Sequence, residues 1–223
     1  MCGRFAFYSP AEATAALFGA AGAVDFTPRY NIAPTQDIAA VRIGDKNQRE
    51  LVAFRWGLVP FWAKDPAIGN RMINARAETV AEKPSFRAAY KRRRCLILAD
   101  GFYEWCKVEG GKTPFYISTA SAQPFAFAGL WEHWHDKETD AELQTATIIT
   151  TAANEFMTPL HHRMPVILEP GTADSWLDGD NELLDFAAEF TPRLRAWPVQ
   201  KTVNSPRNEG EELLEPAGDA VNG

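Results

Sequence analysis

The chain begins Met-Cys-Gly-Arg-Phe, which puts a thiol at position 2. Methionine aminopeptidases remove Met1 when the next side chain is small, and cysteine qualifies. Cys2 would then carry a free α-amine beside its thiol, a 1,2-aminothiol that cannot exist elsewhere in a chain. An α-amine titrates at about 7.7–8.0 against about 10.4 for lysine, so its free-base fraction at neutral pH is roughly a few hundred-fold larger. A free amine condenses with an aldehyde to a Schiff base. The neighbouring thiol can close on the imine carbon and leave a thiazolidine ring, which is far more durable. Cys2 is therefore a candidate aldehyde trap. The plainer alternative is a small residue that only permits Met1 removal. An ordinary thiol titrates near about 8.5 and is only slightly ionised at neutral pH, so an acid–base partner would assist it.

Three downstream segments offer such partners. In "RMINARAET", Asn74 could hold an amine or a sugar oxygen by hydrogen bond, or simply make an Asx turn; Arg76 lies on the same side in an extended chain. In "DGFYEWC", strand alternation puts Phe102 and Glu104 on one face and Tyr103 and Trp105 on the other. A carboxylate among apolar neighbours is costly to bury ionised, so burial would raise its pKa and suit it to moving protons. An exposed Glu on a half-wet face is the alternative. In "PLHHRMP", His161 and His162 would face opposite ways in extended chain, and Arg163 disfavours their protonation. His133 and His135 have a spacing that could bind metal, but no third ligand is apparent, and an exposed loop is expected there.

These residues must be carried by recognisable elements. Residues 10–19 read as a short helix, with Pro10 at its start and Gly19 at its stop. "DIAAVRI" and "ELVAFRW" read as strands around a polar turn. Residues 57–79 have no clear period and read as a long loop carrying function. A helix is expected over "KPSFRAAYKRRR". "CLILADGFYEW" reads as a buried strand breaking at Asp100-Gly101. Further strands are "TPFYIS", "PFAFAGLW", "TATIITTAA", "MPVILE" and "LRAWPV", with short helices at "TADSWL" and "NELLDFAAEF". The expectation is one α+β domain, mostly antiparallel or mixed β-sheet or barrel-like, with short peripheral helices.

Composition bounds the function. With 46% hydrophobic and 23% charged residues, the 223-residue chain can bury a substantial core. No apolar run nears the roughly 20 residues needed to span a bilayer. There is no secretory signal pattern, and a cytoplasmic protein without membrane association is expected. Three cysteines without metal-type spacing argue against a disulfide framework or zinc site, and no cofactor is expected. The net charge of -6 weighs against a nucleic-acid binder. Its distribution weighs the other way. Residues 1–95 hold 15 basic against 8 acidic residues, a balance of +7, while residues 96–223 hold 8 against 21, a balance of -13. A basic face for an anionic partner follows.

"MCGRF", "RYNIAPTQ", "WGLVPFW", "INARAET", "ADGFYEW" and "HHRMPVIL", in this order, resemble the SRAP (SOS response-associated peptidase) family. The resemblance runs from Cys2 to about "VNSPRNEG". It implies an SRAP domain over residues 1–211; the acidic residues 212–223 that follow read, from their charge, as a flexible tail. It implies recognition of abasic sites in single-stranded DNA and a thiazolidine cross-link through Cys2 after Met1 is lost, protecting the site during the DNA damage response. Associated lyase or autoproteolytic peptidase activity would be compatible. By the same resemblance Cys2 is the nucleophile, Asn74 orients the terminus and the sugar, Glu104 is the acid–base group, and His161 assists ring opening, with His162 ranked lower. Arg4, Arg76 and Arg163 would contact phosphates. Trp62, Trp105, Pro34 and Phe61 would form an apolar wall for bases. A monomer, associated with the nucleoid when bound to DNA, is expected. The alternative is a glutamine amidotransferase, which also begins Met-Cys-Gly. Its Asn-Gly oxyanion loop has no counterpart, since the sole Asn-Gly pair is Asn222-Gly223.

Overall fold

The structure, a computed structural model, describes residues 2–179, 184 and 191–222. The helix expected over residues 181–190 therefore lies almost wholly outside the described residues. The chain runs β1 (Phe5–Phe7), α1 (Ala11–Leu17), β2 (Arg29–Ile32), β3 (Asp37–Ile43), β4 (Arg49–Trp56), β5 (Asn74–Arg76), α2 (Arg87–Arg92), β6 (Arg94–Ala99), β7 (Gly101–Val108), β8 (Gly111–Thr119), β9 (Phe125–His135), β10 (Glu142–Ala152), β11 (Arg163–Pro165), β12 (Ile167–Leu168), α3 (Pro170–Leu177), β13 (Leu194–Pro198) and β14 (Val221–Asn222).

Two sheets result. The first is antiparallel, in the order β14-β13-β8-β7-β1-β2. In the second, β4, β3, β6, β9 and β10 pair in succession, and β10 returns to β4 in parallel through Thr145↔Arg55 and Ala146↔Trp56. That contact closes a five-stranded barrel and leaves its strands without open edges. Strands β5 and β11 both attach to β10, and β12 attaches to β9. No helix among the described residues is long and apolar enough to cross a membrane.

The run "CLILADGFYEW" crosses from one sheet to the other. Its first half is β6 in the barrel and its second half is β7 in the antiparallel sheet. Asp100 makes the crossing. Its carboxylate accepts from the Tyr8 and Ser9 amides at 2.7 and 2.8 Å and from the Ser9 hydroxyl at 2.6 Å, so this buried charge is satisfied. Gly101 follows because a Cβ there would overlap the Tyr116 ring and lie 2.7 Å from the Ile117 carbonyl oxygen.

Phe5 joins the sheets. It is fully buried, edge-on to Trp56 of β4 at 5.2 Å and to Phe127 of β9 at 5.6 Å. Burying such a ring contributes about 1.5–3 kcal/mol, and each aromatic pair about 0.5–1.5 kcal/mol more. The residue three places after Cys2 thus anchors the N-terminal segment between the layers. The acidic end of the chain, expected to be flexible, instead packs on β13. Leu213 is buried, the Trp197 indole donates to the Leu214 carbonyl at 2.7 Å, and the Ala217 amide donates to Pro198 at 2.7 Å. Its apolar residues outweigh the charge pattern that suggested fraying.

Candidate functional site

The site lies at the seam between the sheets. Pairing of Phe5 with Phe102, extended by the Tyr103 amide donating to the Arg4 carbonyl at 2.9 Å, runs the N-terminal segment along β7. Cys2 is fully buried, with its thiol 3.9 Å from the Arg4 carbonyl oxygen. Burial pushes its pKa well above the usual thiol range, and the Glu104 charge adds to the rise. The buried thiol is therefore protonated.

Glu104 faces inward from β7, with the alternation expected of it. Phe102 on the same face belongs to the main core, whereas Tyr103 and Trp105 join a second aromatic cluster with Tyr116 on the other face. Glu104 is only 4% exposed. Burial raises its carboxyl above the ordinary carboxylate range, with His162 and Lys112 pulling the other way.

Asn74 opens β5, which runs parallel to β10 from Ile148. Its side-chain amide donates to the Cys2 carbonyl at 2.7 Å. Its Oδ1 is buried and has no hydrogen-bond partner among the described residues. A buried acceptor left unsatisfied costs about 1–3 kcal/mol, so the position suits a donor that arrives during function.

His161 precedes β11, on the opposite edge of β10. His161 Nδ1 lies 2.9 Å from the Arg163 amide nitrogen and 3.0 Å from the Arg163 carbonyl oxygen, so the Arg163 backbone holds the ring in either neutral tautomer. Burial lowers the His161 pKa and Lys112 adds to the effect, while the hydrogen bond to the Arg163 backbone works the other way, so the balance favours the neutral ring. His162 does not face the opposite way as expected. The two rings stack at 4.3 Å because the chain bends here and is not extended. His161 is the main cause of the lowered His162 pKa.

The three arginines differ. Arg4 is half-buried, donates to Asn31 Oδ1 at 2.8 Å and to the Val203 carbonyl at 2.9 Å, and lies over the Trp105 ring at 5.7 Å. Arg163 makes a two-pronged pair with Glu78, its Nη2 2.9 Å from Oε2, and Nη2 also donates to the Thr150 carbonyl at 2.6 Å. Arg76 is exposed and makes no ion pair among the described residues. Of the three, it alone is exposed. Glu78, which ends the Arg-x-Glu of "NARAET", carries no chemical signal of its own in the sequence; it fixes Arg163, whose backbone holds His161.

The aromatic residues also separate. Phe61 is 57% exposed and Trp62 49%, large apolar areas on the loop that leads to Asn74. Trp105 is partly buried, with its indole donating to Asn204 Oδ1 at 2.7 Å. Pro34 is partly buried in a tight turn next to Thr35, whose φ is +76°. His133 and His135 lie on β9, not in a loop, and each faces an acid: Glu142 at 3.6 Å and Asp140 at 2.8 Å.

Comparison with known proteins gives this arrangement its family. The family model for "SOS response associated peptidase (SRAP)" matches residues 1–206, and the chain belongs to that family. It is 43% identical to the abasic site processing protein YoaM of Bacillus subtilis, over 96% of this chain and 98% of that one. It is 31% identical to the abasic site processing protein YedK of Escherichia coli, over 97% and 100%. It is 34% identical to the abasic site processing protein HMCES of Gallus gallus, over 77% of this chain and 59% of that one. A solved structure of a Bacteroides thetaiotaomicron protein superposes with a TM-score of 0.84 at 27% identity, covering 97% of this chain and all of the other.

Proposed function

We propose that the protein processes abasic sites in DNA by trapping the ring-opened sugar of a single strand on Cys2 once Met1 is gone. The names of its relatives support the substrate class. The observation that carries the reading is Asn74, which grips the Cys2 carbonyl while its own Oδ1 is buried and has no partner among the described residues. The donor that Oδ1 lacks is the Cys2 amine that Met1 removal would create.

The steps follow from the groups present. In the neutral tautomer whose Nδ1–H is held by the Arg163 carbonyl, His161 takes the C1′ hydroxyl proton at Nε2 and returns it to the sugar ring oxygen as the hemiacetal opens to the aldehyde. The Cys2 amine adds to C1′ and forms a C–N bond. Glu104, kept protonated more readily than a surface carboxylate, protonates the carbinol oxygen, and water leaves as the imine forms. The Cys2 thiol then adds across the C=N bond: sulfur bonds to C1′, and the thiol proton passes through Glu104 to nitrogen. The thiazolidine results with no oxidant or metal consumed. Arg76 meets a flanking phosphate, and Phe61 and Trp62 stack bases. When the thiol does not close, the imine is open to β-elimination and strand cleavage, which is the lyase branch. The family match displaces the amidotransferase alternative.

The test is a denaturing gel of the Met1-free protein with abasic and intact single strands. The wild type is expected to give a heat-stable adduct with the abasic strand alone. Cys2→Ala keeps an amine and can form only the imine, so the stable adduct should vanish and cleavage should rise. A heat-stable adduct with Cys2→Ala would refute thiazolidine formation.

A further inference from the structure

Outside the site, α2 and the strand it covers make a groove of about 650 Å³. One wall is the helix, presenting Arg87, Lys91 and Arg92; the other includes Phe61 and Trp131. Arg87, Lys91 and Arg92 are exposed and make no ion pair among the described residues. The carboxylate lining the groove, Glu132, is almost fully buried and is taken by Arg93 at 2.7 Å. The remaining titratable group, His133, faces Glu142 at 3.6 Å. Three positive charges are therefore left unbalanced against an aromatic wall.

The groove and the site share a loop. Residues 57–73 leave β4, present Phe61 to the groove, and end at Asn74. The loop is seated on the barrel by the Val59 amide donating to Thr145 at 2.9 Å and by the Trp134 indole donating to Ala63 at 2.7 Å. Trp131 pairs with Ala146 and Asn74 with Ile148, on opposite edges of β10 and two residues apart along it. Two residues of strand and two strand spacings separate their backbones by about 12 Å. One extended strand could occupy both places.

We infer that the α2 groove is a second docking surface for the same nucleic-acid strand, taking the phosphodiester backbone on one side of the trapped sugar, with Phe61 at the junction. The inference rests on the proposed function. Unpaired cations along a groove combined with an exposed aromatic ring, here Phe61, are the means by which single strands are held without sequence readout. An acidic protein partner would use the cations but has no such claim on the loop shared with the Cys2 site.

The test uses the full-length, Met1-free protein with Arg87, Lys91 and Arg92 all changed to Glu, and a second variant with all three changed to Gln. Two probes are needed: an abasic trinucleotide, and an abasic strand with several nucleotides on each side. Both variants should cross-link a saturating trinucleotide at the wild-type rate. On the long strand, loss of three phosphate contacts should flatten the slope of log affinity against log salt by about 2. Trimming the long strand from one side should weaken wild-type binding and leave the variants unaffected. A variant slope equal to wild type, or equal sensitivity to trimming from either side, would overturn the groove. If the wild type forms no adduct on any abasic strand, the Cys2 reading fails instead, and the slope on intact strands still reports on the groove.

Discussion

The Asn74 carboxamide and the Cys2 carbonyl are bonded across the seam at 2.7 Å, which ties a short strand of the barrel to the N-terminus of the other sheet. Asn74 holds this contact with its nitrogen, and its oxygen has no partner among the described residues. Replacing it with Ala removes both. Asn74→Ala is expected to slow cross-linking by about 100-fold, the scale of misplacing a reacting group by roughly an ångström. The lost hydrogen bond should cost only about 1 kcal/mol of stability. Gel kinetics and thermal melts measure the two effects. An unchanged rate would remove Asn74 from the reaction.

Glu104 couples stability to pH. Burial raises its carboxyl pKa in the folded state, so the fold favours its protonated form. Its stabilising share is fully present below the unfolded pKa of about 4.3 and is lost as pH rises through the folded value. Glu104→Gln cannot titrate. Its melting temperature should gain on the wild type as pH rises from about 4 toward neutrality. Cross-linking by the same variant should fall about 10²–10⁴-fold, the usual contribution of a positioned acid–base group. A melting difference that stays flat with pH would show that the carboxyl is not held protonated by burial.

Gly101 has no room for a side chain. Gly101→Ala would press a methyl group on the Tyr116 ring and the Ile117 backbone, and the strand that bears Glu104 would have to shift. A loss of about 1–3 kcal/mol is expected, as for other overpacked sites. Urea titration should show a lower midpoint at an unchanged slope. A midpoint within error of wild type would mean that β7 moves at no cost.

Phe61 and Trp62 are exposed, so their removal should touch binding and spare the fold. Phe61→Ala and Trp62→Ala are each expected to leave stability within about 0.5 kcal/mol of wild type. Each should weaken binding of a single strand by about 1–3 kcal/mol per lost stacking contact, about 5- to 150-fold. Fluorescence anisotropy with a labelled strand measures this. Wild-type affinity in both variants would exclude base stacking on the loop.

Much of the site is legible in the sequence because it depends on local pattern. Period-two alternation places Glu104 with Phe102 and away from Tyr103 and Trp105, as the two packed clusters have it. The Asp100-Gly101 break marks a real change of sheet. Other features depend on partners remote in the chain. Strand β5 is three residues long, too short to carry a period, and owes its existence to β10. Two residue pairs between β4 and β10 close the barrel, and nothing local to either strand specifies them. The Glu78–Arg163 pair joins groups 85 residues apart, and it decides that Arg163 is engaged while Arg76 is open. The histidine stack depends on one bend that adjacent identical residues do not betray.

The Asp100 crossing also sets where the chain can tolerate a change of length. One unbroken run of sequence is barrel strand up to Ala99 and antiparallel strand from Gly101. One residue added or removed at this point would invert the alternation that follows, sending Glu104 to the aromatic side and Tyr103 toward Cys2. The tip of the β7–β8 hairpin at Glu109 and Gly110 is exposed and lies beyond the last site residue on that strand, so insertions there leave Glu104 in register. The reading frame of strand faces, counted from Asp100, is thus what keeps Glu104 on the inner face and off the aromatic one.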